Sequence, residues 1–197
     1  MKIIHFTDTH FIPTGKTLYG RDPATALERC IADINRNHPD AARCVITGDL
    51  THWGEPEAFD HLKQHLDQLK VPLRLLVGNH DNRDVFRQWF GDHPYDENGF
   101  IQTVEDLPVG RFIYLDTNKP GHHEGWYCEQ RMQWLEEQFA AAKGKDLYLF
   151  MHHPPFDIGI PALDRISLVQ KEAFSEVVKP HRDQIRHLFF GHIHRPL

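Results

Sequence analysis

Cysteine is scarce in this chain of 197 residues: only Cys30, Cys44 and Cys128 occur, an odd number with no C-x-x-C pair. That argues against a disulfide framework and offers no cluster of thiolates to a metal. Long apolar runs are missing too, since none approaches the roughly 18 residues that span a bilayer. The amino terminus, MKIIHFTDTH, reaches Asp8 before it can supply the apolar core of a signal peptide. With few cysteines and no signal-peptide core expected in these first residues, a cytoplasmic location is the simplest expectation. Positive charge is also in short supply, with 22 Lys+Arg against 28 Asp+Glu and a net charge of −6. A protein that grips nucleic acid through a basic surface would show the opposite balance. Internal repeats, low-complexity tracts and linkers are absent, and the length suits a single domain over residues 1–197.

What is present is a hydrophobic content of 40% with 11% aromatics, enough for a real core, and an unusual 16 histidines scattered from His5 to His194. Short apolar runs alternate with helical patterns. Residues 2–7, 44–47, 73–77, 112–115, 147–151 and 187–190 read as buried strands. Asp22 is the expected N-cap of a first helix with Pro23 at its first position, and Leu27, Cys30, Ile31 and Ile34 mark one face. Further helices are expected after Pro56, with the stripe Phe59, Leu62, Leu66 and Leu69, and over residues 84–90, 129–143 and 167–179. Residues 100–104 are expected to extend and pair with 112–115. Strands alternating with helices imply crossover units and an α/β sheet.

The end of each strand carries the chemistry. The runs close in Asp8-Thr9-His10, Gly48-Asp49, Gly78-Asn79-His80-Asp81, Asp116, His152-His153 and Gly191-His192-Ile193-His194. Ligands of open α/β sheets bind beyond the carboxyl ends of the strands, so these side chains should share one region. Imidazoles, carboxylates and one amide suit first-row divalent ions such as Zn, Fe, Mn or Co. Asp8, His10, Asp49, Asn79, His152, His192 and His194 are seven candidate ligands, more than one zinc ion takes. Seven divide between two ions if one carboxylate bridges them, and two ions roughly 3.5–4 Å apart suit phosphate-ester hydrolysis. Gly48, Gly78 and Gly191, each just before a ligand, are expected to let the backbone turn sharply into the site.

In this order D-x-H, G-D, G-N-H-D, H-H-P and G-H-x-H resemble the calcineurin-like metallophosphoesterases over nearly the whole chain. The Leu18-Tyr19-Gly20 stretch, the GDL followed by Gly-Glu-Pro, and MHHPP are similar to bacterial class III cyclic-nucleotide phosphodiesterases and glycerophosphodiesterases. The resemblance implies a four-layer α/β/β/α sandwich and a dinuclear site. Asp8, His10 and His194 would hold one ion, Asn79, His152 and His192 the other, and Asp49 would bridge them. His80 would be the catalytic histidine, as general acid or as a hydrogen-bond donor, and Tyr19 a substrate contact. The implied activity is metal-dependent phosphodiester hydrolysis, by attack of metal-held hydroxide on a small glycerophosphodiester or 3′,5′-cyclic nucleotide. Relatives generally continue after G-H-x-H, whereas here only Arg195, Pro196 and Leu197 follow, so the second sheet is expected to lack its C-terminal strands and expose an edge. A homo-oligomer is compatible with the resemblance.

Rival readings are a phosphomonoesterase or a nuclease on the same fold, the latter weakened by the acidic balance, and a non-catalytic scaffold, which would be expected to have lost ligands. Other residues take blander assignments. Asp81 and Asp116 read as loop-orienting groups, His5 as a satisfied core histidine, His61 and His65 as a solvated helix face, and His122 and His123 as an exposed loop. His153 leaves two readings open, a hydrogen-bonding support for the site or the start of the Pro154-Pro155 turn. The cysteines are assigned to packing.

Overall fold

The computed structural model describes residues 1–195. The first half is a parallel sheet in the order β1 (Ile3–Phe6), β2 (Arg43–Thr47), β3 (Leu73–Leu76), with α1 (Pro23–Asn37) and α2 (Pro56–Leu66) as the crossovers. Asp22 caps α1 as expected, accepting the Ala24 N–H at 3.0 Å. A short α3 (Arg83–Trp89) follows, capped by Asn82. The second sheet orders β4 (Thr103–Leu107), β5 (Gly110–Tyr114), β6 (Leu147–Phe150) and β7 (Ile185–Phe189), antiparallel only between β4 and β5. Helices α4 (Glu129–Ala141) and α6 (Lys171–Val178) cover it, and a single turn, α5 (Pro161–Asp164), lies in the β6–β7 connection.

Three apolar layers make this the α/β/β/α sandwich that the resemblance implied. Leu27, Ile31, Phe59, Leu62 and Phe86 bury the helical stripes against Ile46 and Leu75. Val45 and Leu76 meet Phe112, Tyr114 and Phe150 between the sheets, and Leu135, Phe139 and Phe174 cover Ile113 and Leu149 on the far side. Each such side chain contributes roughly 1.5–3 kcal/mol of burial. Arg43 of β2 also reaches across to Glu105 of β4 through paired hydrogen bonds of 2.8 and 3.0 Å. Among the described residues β1 pairs only with β2, and β7 only with β6. These two edges leave a cleft of about 790 Å³ that runs from His5 and Phe189 to Asp8 and His194. No helix of the described residues is long and apolar enough to cross a membrane.

Local departures from the sequence reading have local causes. The strand expected over 100–104 lies at Thr103–Leu107, because the Phe100 and Ile101 N–H groups are captured by the Asp96 and Asp116 carboxylates before pairing begins. Helix α6 starts at Lys171 and not at 167, since Leu168 and Val169 are tied to Pro154 and Gly125 by backbone bonds. Pro180 does not end the helical path but sits in a 3₁₀ turn, Lys179–His181.

One largely enclosed histidine outside the site makes stability depend on pH. His93 Nε2 accepts the Leu75 N–H of β3 at 3.0 Å, and burial pushes the imidazole down to about 4. An unfolded chain takes up that proton near pH 6.5, whereas the folded chain refuses it until about 4, so stability falls as pH drops through this window. For this one group the loss at pH 4.5 is about 2–3 kcal/mol. Urea midpoints of wild type and His93→Gln at pH 7.5 and 4.5 should show a smaller acid-induced drop in the variant. Equal drops would refute the assignment.

Candidate metal centre

All candidate residues leave their strands at one end of the sandwich, where the two sheets' carboxyl edges meet. The backbone there is strained. Asp8, His10, Asp49, His192 and His194 have φ values of 58°, 44°, 47°, 71° and 52°. Left-handed φ costs a non-glycine residue on the order of 1–3 kcal/mol and persists where surrounding structure over-determines it. The strain aims side chains from separate strands at common points. Gly48, at φ 105°, does turn the chain as expected. Gly78 has no positive φ and serves a different purpose. A Cβ there would collide with Asp49 and lie 2.7 Å from His152 Nε2, so the absence of a side chain makes room for the site. At Gly191 too the need is space, against Thr7 and Asp8, and not a sharp turn.

Two adjoining clusters result. Ligating atoms of Asp8, His10, Asp49 and His194 lie within 4.8 Å of one another. His10 Nε2 sits 3.0 Å from His194 Nε2 and 3.7 Å from Asp49 Oδ2, and His194 Nε2 is 3.3 Å from Asp8 Oδ1. On the other side of Asp49, its Oδ1 is 3.2 Å from His152 Nε2, which is itself 3.2 Å from Asn79 Oδ1. The rings of His152 and His192 are 5.2 Å apart. His192 Nε2 is buried without a hydrogen-bond partner, the state expected of a ligand atom aimed at an ion. His152 Nδ1 donates to the Thr47 carbonyl at 2.9 Å, which leaves Nε2 to face the cluster. The seven expected ligands are thus brought together, with Asp49 between the two groups.

The electrostatics suit a cation. Burial alone would raise the Asp49 carboxyl, but the His152 charge and hydrogen bond outweigh it and hold the group far below the ordinary carboxylate range. Burial likewise opposes ionisation of Asp8, yet the bond from His194 and the His152 charge keep it below its usual value. Burial pushes His10 and His192 down to about 4, so both keep a free lone pair at neutral pH, the form a metal takes. His152 is the exception. Burial lowers it, but Asp49 lifts it to about 9, so one proton stands in for positive charge between the carboxylates.

Asp81 and Asp116 orient loops, as expected. Asp81 accepts the Leu50, Thr51 and Gly78 N–H groups at 2.8–2.9 Å and so ties the turn after β2 to the turn after β3. Asp116, fully buried, accepts Arg83 Nε at 2.8 Å and the Ile101 and Asn118 N–H groups at 2.9 Å. Asn118 in turn donates to the Gly78 carbonyl at 2.6 Å. His153 supports the site and is not a free ligand, because Nδ1 bonds Thr117 Oγ1 at 2.7 Å and Nε2 bonds the His123 carbonyl at 3.2 Å. His5 is satisfied within β1 by Thr47 Oγ1 at 2.9 Å.

Two assignments change and one residue is new to the site. His65 is buried, not solvated: it is 9% exposed, and both His61 and His65 pack edge-on against Phe11, because α2 turns this face to the loop after β1. His123 is exposed but borders the site, with Nδ1 3.4 Å from Asn79 Nδ2 and its ring 6.0 Å from His80. His122 only pairs with Glu124. His52, for which the sequence suggests no role, stacks on His80 with ring centroids 4.9 Å apart and reaches His10 Nδ1 at 3.2 Å. Its place three residues after Asp49 is the one signal that could have found it. His80 donates its backbone N–H to Asp49 Oδ1 at 3.0 Å and its Nδ1–H to the His52 carbonyl at 2.7 Å. Tyr19, 89% exposed, lines a cavity of about 930 Å³ with Asp8, His10, His52, His80 and His194.

A fold with two sheets meeting at a cluster of histidines and carboxylates defines a metal-dependent phosphoesterase class. The chain belongs to the calcineurin-like phosphoesterase family, whose profile it matches over residues 1–196. It is 44% identical to a probable cyclic nucleotide phosphodiesterase of Rhodopseudomonas palustris, across 100% of this chain and 73% of that protein. It is 34% identical to a probable glycerophosphodiester phosphodiesterase of Arcobacter nitrofigilis, across 99% of this chain and 72% of that one. A purple acid phosphatase from yellow lupin shares the fold at TM-score 0.71 and 15% identity, covering 98% of this chain and 37% of its own. Family membership and the donor set together imply divalent metal ions.

Proposed function

We propose that this protein is a phosphodiesterase that hydrolyses small phosphodiesters, glycerophosphodiesters or 3′,5′-cyclic nucleotides, with two divalent transition-metal ions. The observation that carries the reading is Asp49, whose two carboxylate oxygens face two different histidine clusters. Asp8, His10 and His194 would hold one ion, Asn79, His152 and His192 the other, with Asp49 between them. Mn, Fe, Zn and Co all accept this donor set. When bound, such a pair supplies Lewis-acid charge at phosphorus and an activated water. The relatives' names, with both diester classes among them, support the substrate type.

The chain's own residues complete the chemistry. His80 commits Nδ1–H to the His52 carbonyl, so Nε2 is the nitrogen that faces the cavity. In its doubly protonated form it delivers a proton, or a hydrogen bond, from that nitrogen to the oxygen that leaves phosphorus, and the ring is then left neutral with its Nδ1–H in place. Tyr19, at the cavity's rim, contacts the esterified alcohol. Asp81 and Asn118 hold the loops that carry Asp49 and Asn79, so the site is organised before substrate arrives.

The test is a panel on one metal-depleted preparation reloaded separately with Mn, Fe, Zn or Co. A bis-aryl diester should turn over at least about tenfold faster than the aryl monoester, a margin of about 1.4 kcal/mol. Chelation should remove the activity and readdition restore it. Cyclic AMP and glycerophosphoethanolamine then sort the natural class. A monoester preference, or turnover indifferent to metal, would overturn the proposal.

A further inference from the structure

We infer that His52 is a positioning residue that fixes the ring of His10 from behind and the ring of His80 from the side. The inference rests on the phosphodiesterase reading above. His10 directs Nε2 at Asp8, Asp49 and His194, so its other nitrogen, Nδ1, must carry the ring proton. That nitrogen lies 3.2 Å from His52 Nδ1. His10 Nδ1–H therefore donates to His52 Nδ1, and the proton of His52 resides on Nε2. A ligating histidine needs such an acceptor behind it to fix its tautomer and rotation. His152 uses the Thr47 carbonyl for this purpose, and at His10 an imidazole fills the same role.

The same residue serves His80. Its carbonyl accepts His80 Nδ1–H, and its ring stacks on the His80 ring at 4.9 Å with 21° between the planes. Trp53 meets the His52 ring edge-on at 4.4 Å, so the imidazole is held between two aromatic neighbours. One residue thus links a metal ligand on the β1 loop to the catalytic histidine on the β3 loop. Its position three residues beyond Asp49 puts it near the site, but the two links themselves come from the folded loops.

Two substitutions separate the acceptor from the ring. His52→Phe keeps the stack and the carbonyl but removes the acceptor, whereas His52→Asn keeps a δ-position acceptor and loses the stack. In the full chain, chelator competition followed by elemental analysis reads the affinity of each ion. His52→Phe should weaken one of the two ions by about 10–100-fold and leave the other unchanged. His52→Asn should restore that affinity to within about threefold. Diester kinetics on fully loaded protein should show kcat, not KM, falling in His52→Asn, where His80 loses its stacking partner. Wild-type affinities in His52→Phe, or equal losses in both variants, would overturn the inference. So would a third ion in wild type that His52→Phe loses, because His52 would then be a ligand. A wild-type chain that binds no transition metal overturns the phosphodiesterase reading, and this one with it. Normal wild-type binding with a silent His52→Phe overturns this one alone.

Discussion

Replacing Asp49 with alanine is expected to lower diester turnover by at least about 10³-fold, or about 4 kcal/mol of transition-state stabilisation. The size of the effect comes from the groups that the carboxylate touches. One oxygen faces the His10 side and the other the His152 side, so a single truncation disarms both clusters. It also frees the His80 N–H, which donates to Asp49 Oδ1, and so loosens the loop that carries His80. His152, lifted to about 9 by Asp49, would lose its main source of positive shift and become an ordinary buried imidazole. Elemental analysis after dialysis should find less than the full complement of metal in Asp49→Ala. Asp49→Asn keeps the shape without the charge and should also lose metal. Wild-type turnover by Asp49→Ala in metal-depleted buffer would end the dinuclear reading.

Truncating Asp116 to alanine should cost about 3–5 kcal/mol of folding stability, because it strands buried charge. The carboxylate is fully buried, receives Arg83 through two hydrogen bonds, and lies 3.7 Å from Arg131. Removing it leaves two guanidinium groups partly or wholly enclosed without their counter-charge. The Ile101 and Asn118 N–H groups lose their acceptor at the same time. For a chain of this length the melting temperature should fall on the order of 10 °C. The site should suffer as well, since Asn118 holds the Gly78 carbonyl beside Asn79. Thermal denaturation read alongside metal affinity checks both links. A melting temperature within about 2 °C of wild type would show that the arginines find other partners.

The legible part of this fold was the part written in periodicity. The stripe Leu27, Ile31, Ile34 is buried in α1, and Asp22-Pro23 starts that helix where the cap and the proline said it would. The runs that became β2, β5 and β6 are short and rich in β-branched or aromatic residues, while β3 rests on leucines, and buried strands need little else. Less legible was the segment before β4. Nothing local announces that Asp116 will take the Ile101 N–H group, since it is 15 residues away. The late start of α6 is hidden for the same reason, because longer-range bonds from Leu168 and Val169 to Pro154 and Gly125 decide where the helix begins.

At the site, residue type and order along the chain already named the candidate ligands that the fold brings together. Asp8, His10, Asp49, Asn79, His152, His192 and His194 each come just after a recognisable strand, and parallel strands deliver their trailing residues to the same end of the sheet. That inference needs only element order and the handedness of crossovers. Tertiary structure alone decided the rest: that the two oxygens of Asp49 face different clusters, that His192 Nε2 is left without a partner, and that His52 backs His10 while His123 reaches Asn79. These are contacts between loops whose approach depends on left-handed backbone at Asp8, His10, Asp49, His192 and His194. Such φ values are unfavourable for those residues in isolation and are imposed by the packing of two sheets. Local sequence preference therefore argues against the very conformations on which the site depends, and only the assembled sandwich holds them.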